Sequence, residues 1–230
     1  MKITNKLIFL TSLLAILACD DDLLTVQDPA RYTSPDLDGA LDAVANGVEG
    51  DLYATHDGFV AYSALASDEY QHTGTWAGWD DVDHGRFRFA TSPADGIMNG
   101  YLRTRWFAKS TAERLEKVLG SAAASDKMMA QIQTTKAWAL LMMGEGFCEG
   151  VIEENGPVVT DVQMTTAALA ELTTAMATAQ AAGATAYYNW ALAGRLSLIH
   201  ISEPTRRYAI GWGRGGGGER AGGGGGGGGG

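Results

Sequence analysis

Between Ser34 and Arg195 apolar residues recur every three or four positions, and that spacing predicts a mainly α chain. Leu37, Leu41, Val44, Val48 and Leu52 place one apolar stripe along a first helix. Ser34 fits its N-cap, Pro35 its first turn, and Asp36 and Asp38 suit the positive end of its dipole. A second helix is expected from Asp57 through Phe59, Tyr62, Ala66 and Tyr70, forming a hairpin with the first. Ser92-Pro93 then opens a long helix with Ile97, Tyr101, Ala108, Ala112, Leu115 and Leu119 on one face and Gly120 as its stop. Ser125-Asp126 caps the next, whose stripe is Met128, Ile132, Thr135, Ala139 and Met142. Past a loop at Asn155-Gly156-Pro157, Thr165 or Thr166 starts a helix on Leu169, Leu172, Met176 and Ala179. Gly183 ends it, and Ala184 to Arg195 reads as its antiparallel partner, cut short.

The expected architecture is therefore a set of antiparallel helical hairpins with Ala-rich faces that allow close packing. Their succession is tetratricopeptide-like, although no strict repeat is present. Residues 71–91 interrupt the pattern. Gly74, Gly78 and Gly85 break up Trp76, Trp79, Asp80, Asp81, Asp83 and His84, while Arg86-Phe87-Arg88-Phe89 alternates briefly, so a long loop with a short strand is predicted.

The N-terminus has a different pattern. Lys2 and Lys6 precede a short apolar run from Leu7 to Leu17, and Ile16-Leu17-Ala18-Cys19 resembles a bacterial lipobox. The run is too short to span a bilayer as a helix. Cleavage before Cys19 and acylation of Cys19 are expected, leaving residues 1–18 as signal peptide and residues 19–33 as an acidic tether. Asp20-Asp21-Asp22 resembles the surface-export signal of Bacteroidetes-type lipoproteins; the alternative is a charged tether without sorting meaning.

The C-terminus calls for a different treatment. Leu196 to Arg206 is the translation of a string resembling a transposase-type sequencing-library adapter. Gly215 to Gly218 and Gly222 to Gly230 read as GGG codons, the alternative being a Gly-rich flexible tail. Residues 196–230 are accordingly expected to be an artefactual, disordered tail, with the native frame continuing past Arg195.

This division changes the composition. Residues 19–195 hold 11 of the 17 basic and 25 of the 27 acidic residues, a net charge of −14. Such acidity argues against nucleic acid and against a polybasic membrane patch. With Cys19 acylated, Cys148 has no intrachain disulfide partner, and it reads as a small buried apolar residue at a helix end rather than a nucleophile.

Candidate binding chemistry concentrates in the loop. Tyr70, Trp76 and Trp79 bracket a glycine-containing stretch where aromatic faces can stack on sugar rings, and Asp68, Asp80 and Asp81 can accept hydroxyl hydrogen bonds. The alternative is that both tryptophans plug the loop onto the helices as core. His56, His72 and His84, with Asp68, Glu69, Asp80 and Asp83, raise a metal site, but neither His-Glu-x-x-His nor Cys-x-x-Cys is present. Asp80, Asp81 and Asp83 suit calcium better than zinc, without the spacing of a helix-loop-helix calcium site. No metal or other cofactor is expected. No Gly-x-Ser-x-Gly elbow or phosphate loop occurs, and no enzymatic function is expected.

The pieces combine into a resemblance. The lipobox with its acidic follow-on, Asp51-Leu52-Tyr53, the loop with Trp76 and Trp79, the Tyr101 to Leu119 helix, and Lys136-Ala137-Trp138-Ala139-Leu140-Leu141-Met142-Met143-Gly144 before an Ala-rich hairpin resemble the N-terminal portion of a SusD/RagB-type lipoprotein. The chain has Gly144-Glu145-Gly146-Phe147 where that family has a Gly-Asp-Val-Pro-like turn. The resemblance implies a non-enzymatic, tetratricopeptide-containing outer-membrane lipoprotein. Such a protein captures a glycan or other nutrient and delivers it to a SusC-like TonB-dependent transporter. The alternative function is a helical lipoprotein scaffold that binds only a protein partner, and a soluble enzyme is a more distant third.

Overall fold

The computed structural model describes residues 33–86 and 92–198. Among them the chain is mainly α. In order come α1 (Ser34–Asp38), α2 (Leu41–Ala66), α3 (Ala77–Asp83), α4 (Pro93–Leu119), a 3-10 turn (Gly120–Ser125), α5 (Lys127–Gly146), β1 (Glu149–Val151), β2 (Val158–Thr160) and α6 (Asp161–Ala181). A final helix, α7, covers residues 185–198. The lipobox, residues 19–32 of the acidic tether and residues 199–230 lie outside the described residues.

Residues 33–39 belong to one compact unit and the rest of the described chain to another. In the first, Thr33 rather than Ser34 precedes the helix, and its amide and hydroxyl both donate to Asp36 Oδ2, at 2.8 and 2.6 Å. These bonds hold the Asp36 carboxyl below the usual range. The helix predicted from Ser34 through Leu52 is interrupted at Gly39-Ala40.

In the second unit, α2 corrects the expected hairpin. It runs unbroken for 26 residues, through the segment read as a turn before Asp57. No glycine or proline lies between Leu52 and Asp57 to stop it, and Thr55 simply returns its hydroxyl to the Asp51 carbonyl, at 2.9 Å. The stripe holds, with Val44, Val48 and Leu52 buried.

The predicted signals of α4 and α5 are realised in detail. Ser92 accepts the Ala94 amide with Pro93 in the first turn, and Gly120 leaves the helix at φ 58°. Asp126 caps α5 by accepting the Met128 amide at 2.7 Å. Thirteen of the twenty residues of α5 are buried, so it is the central helix rather than a surface helix with one apolar stripe. α2, α4 and α6 all pack on it.

The β1–β2 hairpin was not predicted as strand. Glu149, Gly150 and Val151 pair antiparallel with Thr160, Val159 and Val158. Asn155, at φ 58°, and Gly156, whose amide donates to the Glu153 carbonyl at 2.9 Å, make the turn. α6 begins four residues before Thr165, because Thr160 and Gln163 form a reciprocal capping box. Gly183, at φ 62°, separates α6 from α7. α7 continues three residues past Arg195, where Leu198 is buried and Ser197 donates to Glu145 at 3.1 Å.

The core divides into one cluster around Tyr101, Leu140, Leu141, Met143, Met164 and Leu172 and another around Val48, Ala108, Leu115, Met129 and Ile132. Fully buried alanines at 137, 139, 168 and 175 let α5 and α6 approach closely. No described helix is long and apolar enough to cross a membrane.

Candidate functional site

The loop after α2 begins where Asp68 takes a left-handed conformation, φ 59°, and the Glu69 and Tyr70 amides both donate back to the Ala64 carbonyl. Tyr70 and Asp68 are exposed there and line neither of the grooves described below. The following segment is not all loop: α3 occupies its centre. The Trp76 carbonyl caps α3 by accepting the Trp79 and Asp80 amides, both at 3.1 Å. Of the brief alternation predicted as strand, residues 87–89 lie outside the described residues.

The acids of this segment hold it together. Arg86 donates to Asp80 Oδ2 at 2.6 Å and to Asp81 Oδ1 at 3.1 Å, and Asp81 is only 5% exposed. Asp83 accepts the His72 amide at 3.1 Å, and His84 Nδ1 lies 3.4 Å from Asp80. His56 sits apart on α2, with Nδ1 3.1 Å from the Tyr101 hydroxyl. Among the described residues no group of three or more His, Cys, Asp or Glu is disposed to hold a metal ion.

The aromatic residues present themselves differently. Trp76 is 72% exposed, so it does not plug the loop onto the helices. Trp79 meets Tyr62 edge-on, with ring centroids 6.5 Å apart, and its indole walls a groove of about 360 Å³ between α2 and α4. Ala54, Gly58, Gly96 and Gly100 line that groove with little or no side chain, and at Gly100 a Cβ would stand 2.6 Å from Thr55 Cγ2. Its far end is Arg103, which donates from Nε to Asp51 Oδ1 at 3.0 Å and brings Nη2 within 2.7 Å of the same oxygen. Thr104 donates to the other Asp51 oxygen at 2.7 Å. An indole wall, a floor of small residues and a fixed guanidinium can hold a flat, hydroxyl-bearing ring by stacking at one end and hydrogen bonding at the other.

A second cleft, of about 310 Å³, lies between α4 and the β-hairpin, with Leu102, Trp106, Val151 and Ile152 among its walls. Sequence reasoning missed it. Trp106 lies off the Ile97–Tyr101–Ala108–Leu115 stripe, a signal that it faces out, and it is 58% exposed. Beneath the cleft Arg105, 3% exposed, uses all five N–H groups on Ile152 O, Lys136 O, Glu153 and both oxygens of Glu171. Burial alone would raise the Glu171 carboxyl, but the hydrogen bonds and charge of Arg105, with Lys136 behind them, bring it below its ordinary value.

Two further carboxyl and phenol groups are perturbed. Burial pushes both Glu145 and Tyr101 up, the Glu145 charge adding to the effect on Tyr101, but neither lines these two openings. Cys148 is exposed rather than buried, contrary to expectation. The helix ends at Gly146, the extended Phe147 packs against the core, and the alternation of extended backbone turns Cys148 outward.

Compared with protein-family models, with curated proteins and with solved structures, the chain matches none.

Proposed function

We propose that this protein is a non-enzymatic outer-membrane lipoprotein, anchored through Cys19 at the cell surface. It captures a glycan or other nutrient and delivers it to a SusC-like TonB-dependent transporter. The helices form a tetratricopeptide-like scaffold for the transporter side. The observation that carries this reading is Trp79 walling a groove; Trp76, three residues earlier, is exposed but lines neither cleft. Unburied indole faces are costly to leave in water and suit the apolar faces of sugar rings. The lipobox sequence and the acidic residues after Cys19 support the location.

Two measurements on the full chain test the reading. Palmitate labelling in a lipoprotein-processing bacterium should be lost with Cys19→Ser, and label retained by that variant removes the anchor. Glycan-array binding should be lost in a Trp76→Ala/Trp79→Ala variant; an array signal that the double variant keeps in full removes the groove.

A second reading, a scaffold that binds only a protein partner, is favoured by Val158 and Val162, each 66% exposed on the hairpin and the start of α6. It predicts no glycan binding and a co-purifying membrane protein lost with Val158→Asp.

A further inference from the structure

We infer that Trp138, Trp190 and Tyr53 form a radical relay that carries the loss of one electron from the edge of the helical core to the Tyr53 phenol, with Glu49 as the proton acceptor. The co-reactant is a small, diffusible one-electron oxidant. The relay does not depend on what either groove binds.

The rings form a continuous stack across three helices. Trp138 on α5 lies on Trp190 of α7, with centroids 5.8 Å apart and planes 20° apart, and Trp190 lies on Tyr53 of α2, at 6.1 Å and 30°. The Trp138 indole N–H also donates to the Trp190 carbonyl at 3.1 Å, which fixes the first pair. Indoles and phenols are among the side chains that give up one electron most readily, and an electron tunnels easily between rings this close. Trp138 and Trp190 both pack against the core cluster that holds Met142, Met143 and Met164. Oxidation of those thioethers to polar sulfoxides would disrupt the core. Tyr53, at the other end of the stack, is 52% exposed.

Proton chemistry fixes the terminus. The Tyr53 hydroxyl donates to Glu49 Oε1 at 2.8 Å. Burial, then the hydrogen bond and charge of Glu49, push this phenol up to about 12, so at neutral pH it must release a proton as it loses an electron. The other Glu49 oxygen accepts from the Gln131 amide at 2.7 Å and the Tyr187 hydroxyl at 3.2 Å. Among the described residues no cation pairs with Glu49, so its carboxylate is able to take that proton. The step balances. The oxidant removes one electron from the indole pair and leaves a Trp190 radical cation. Tyr53 returns an electron to Trp190 while its O–H proton passes to Glu49, which leaves a neutral tyrosyl radical, a closed-shell indole and a protonated carboxyl. Tyr187 is the poorer terminus, with its ring 6.4 Å from Trp190 and tilted by 45°, and with the longer bond to Glu49.

Tyr70 supplies an internal reference. It is 57% exposed, about as open as Tyr53, but has neither a ring partner nor a carboxylate partner among the described residues. The full chain at neutral pH is treated with radiolytic azide radicals, which oxidise indoles faster than protonated phenols, in the presence of a nitroso spin trap, and the adducts are mapped by peptide mass spectrometry. Adduct on Tyr53 should exceed that on Tyr70 severalfold, and Trp190→Phe and Glu49→Gln should each reduce it to the Tyr70 level. Tyr53→Phe keeps the stack and removes only an exposed hydroxyl, so it should melt like the parent while the adduct shifts back to Trp190 or Trp138. Equal labelling of Tyr53 and Tyr70 in the parent, or Tyr53 labelling unchanged by Trp190→Phe, overturns the relay. Tyr53 labelling unchanged by Glu49→Gln overturns Glu49 as the proton acceptor.

Discussion

Arg105 on α4 clasps both carboxylate oxygens of Glu171 on α6, at 2.9 and 3.1 Å. The pair ties the two helices together across the middle of α5, whose Lys136 carbonyl accepts a further Arg105 hydrogen bond at 3.1 Å. Truncating Glu171 leaves a guanidinium that is 3% exposed with its principal counter-charge gone. Glu171→Ala should therefore destabilise the fold by about 3 kcal/mol in urea unfolding at neutral pH, since losing one partner of a buried pair costs more than the pair contributes. A loss under about 0.5 kcal/mol would mean that Glu153 alone satisfies Arg105.

The same carboxylate sets an acid limit. Its pKa is lowered in the folded state, so near its ordinary value of 4.5 the unfolded chain binds the extra proton. Stability from this group is then fully present above that value and is lost as pH falls through the lower folded one. Urea midpoints measured from pH 6 to pH 3 should drop for the parent. Subtracting the Glu171→Gln series should show a smaller drop, because the glutamine has no proton to gain. Parallel curves would remove Glu171 from the acid response.

Gly144 near the end of α5 sits at a close approach to α6. A Cβ there would stand 2.7 Å from Thr165 Cγ2 and 3.1 Å from the Thr165 amide nitrogen. The backbone nitrogen cannot swing aside as a side chain can. Alanine would gain about 1 kcal/mol in helix propensity, but overpacking costs about 1–3 kcal/mol, so Gly144→Ala should come out destabilising by about 1 kcal/mol or more. A rise in melting temperature would show that α6 can retreat at no cost.

The start of α6 offers a cleaner measurement. Thr160 accepts the Gln163 amide at 3.3 Å while Gln163 accepts the Thr160 amide at 2.9 Å. Thr160→Ala should cost about 1 kcal/mol, and Gln163→Ala less, because the first removes the side-chain acceptor at the helix start. Equal melting curves for the parent and Thr160→Ala would show that water replaces the cap.

That capping box also shows where the sequence was legible and where it was passed over. Thr-x-x-Gln before an apolar run is a start signal in its own right, yet Thr165 and Thr166 stand closer to the Leu169 stripe and mask it. Long stripes with clear ends, as in α4 between Ser92 and Gly120, were readable because cap, period and stop agree. Three-residue strands are too short for any period to register, so only the Asn155-Gly156 turn between them was visible. Trp79 could be named from its loop, but its groove partners Gly58, Gly100 and Arg103 come from α2 and α4. Their meeting is a product of helix packing, and no spacing along the chain encodes it.

Trp76 and Trp79 should separate stability from binding. Trp76 is exposed and caps α3 only through its backbone carbonyl, which alanine retains. Trp76→Ala should leave the unfolding free energy within about 0.5 kcal/mol of the parent, as for surface positions generally. Trp79 is half-buried and loses its edge contact to Tyr62 when truncated, so Trp79→Ala should cost about 1–2 kcal/mol, somewhat above the value of an aromatic pair alone. Both should lower affinity for whichever array glycan binds the parent. Two equal stability losses would place Trp76 in the core after all, whereas unchanged affinity in Trp76→Ala would restrict ligand stacking to Trp79.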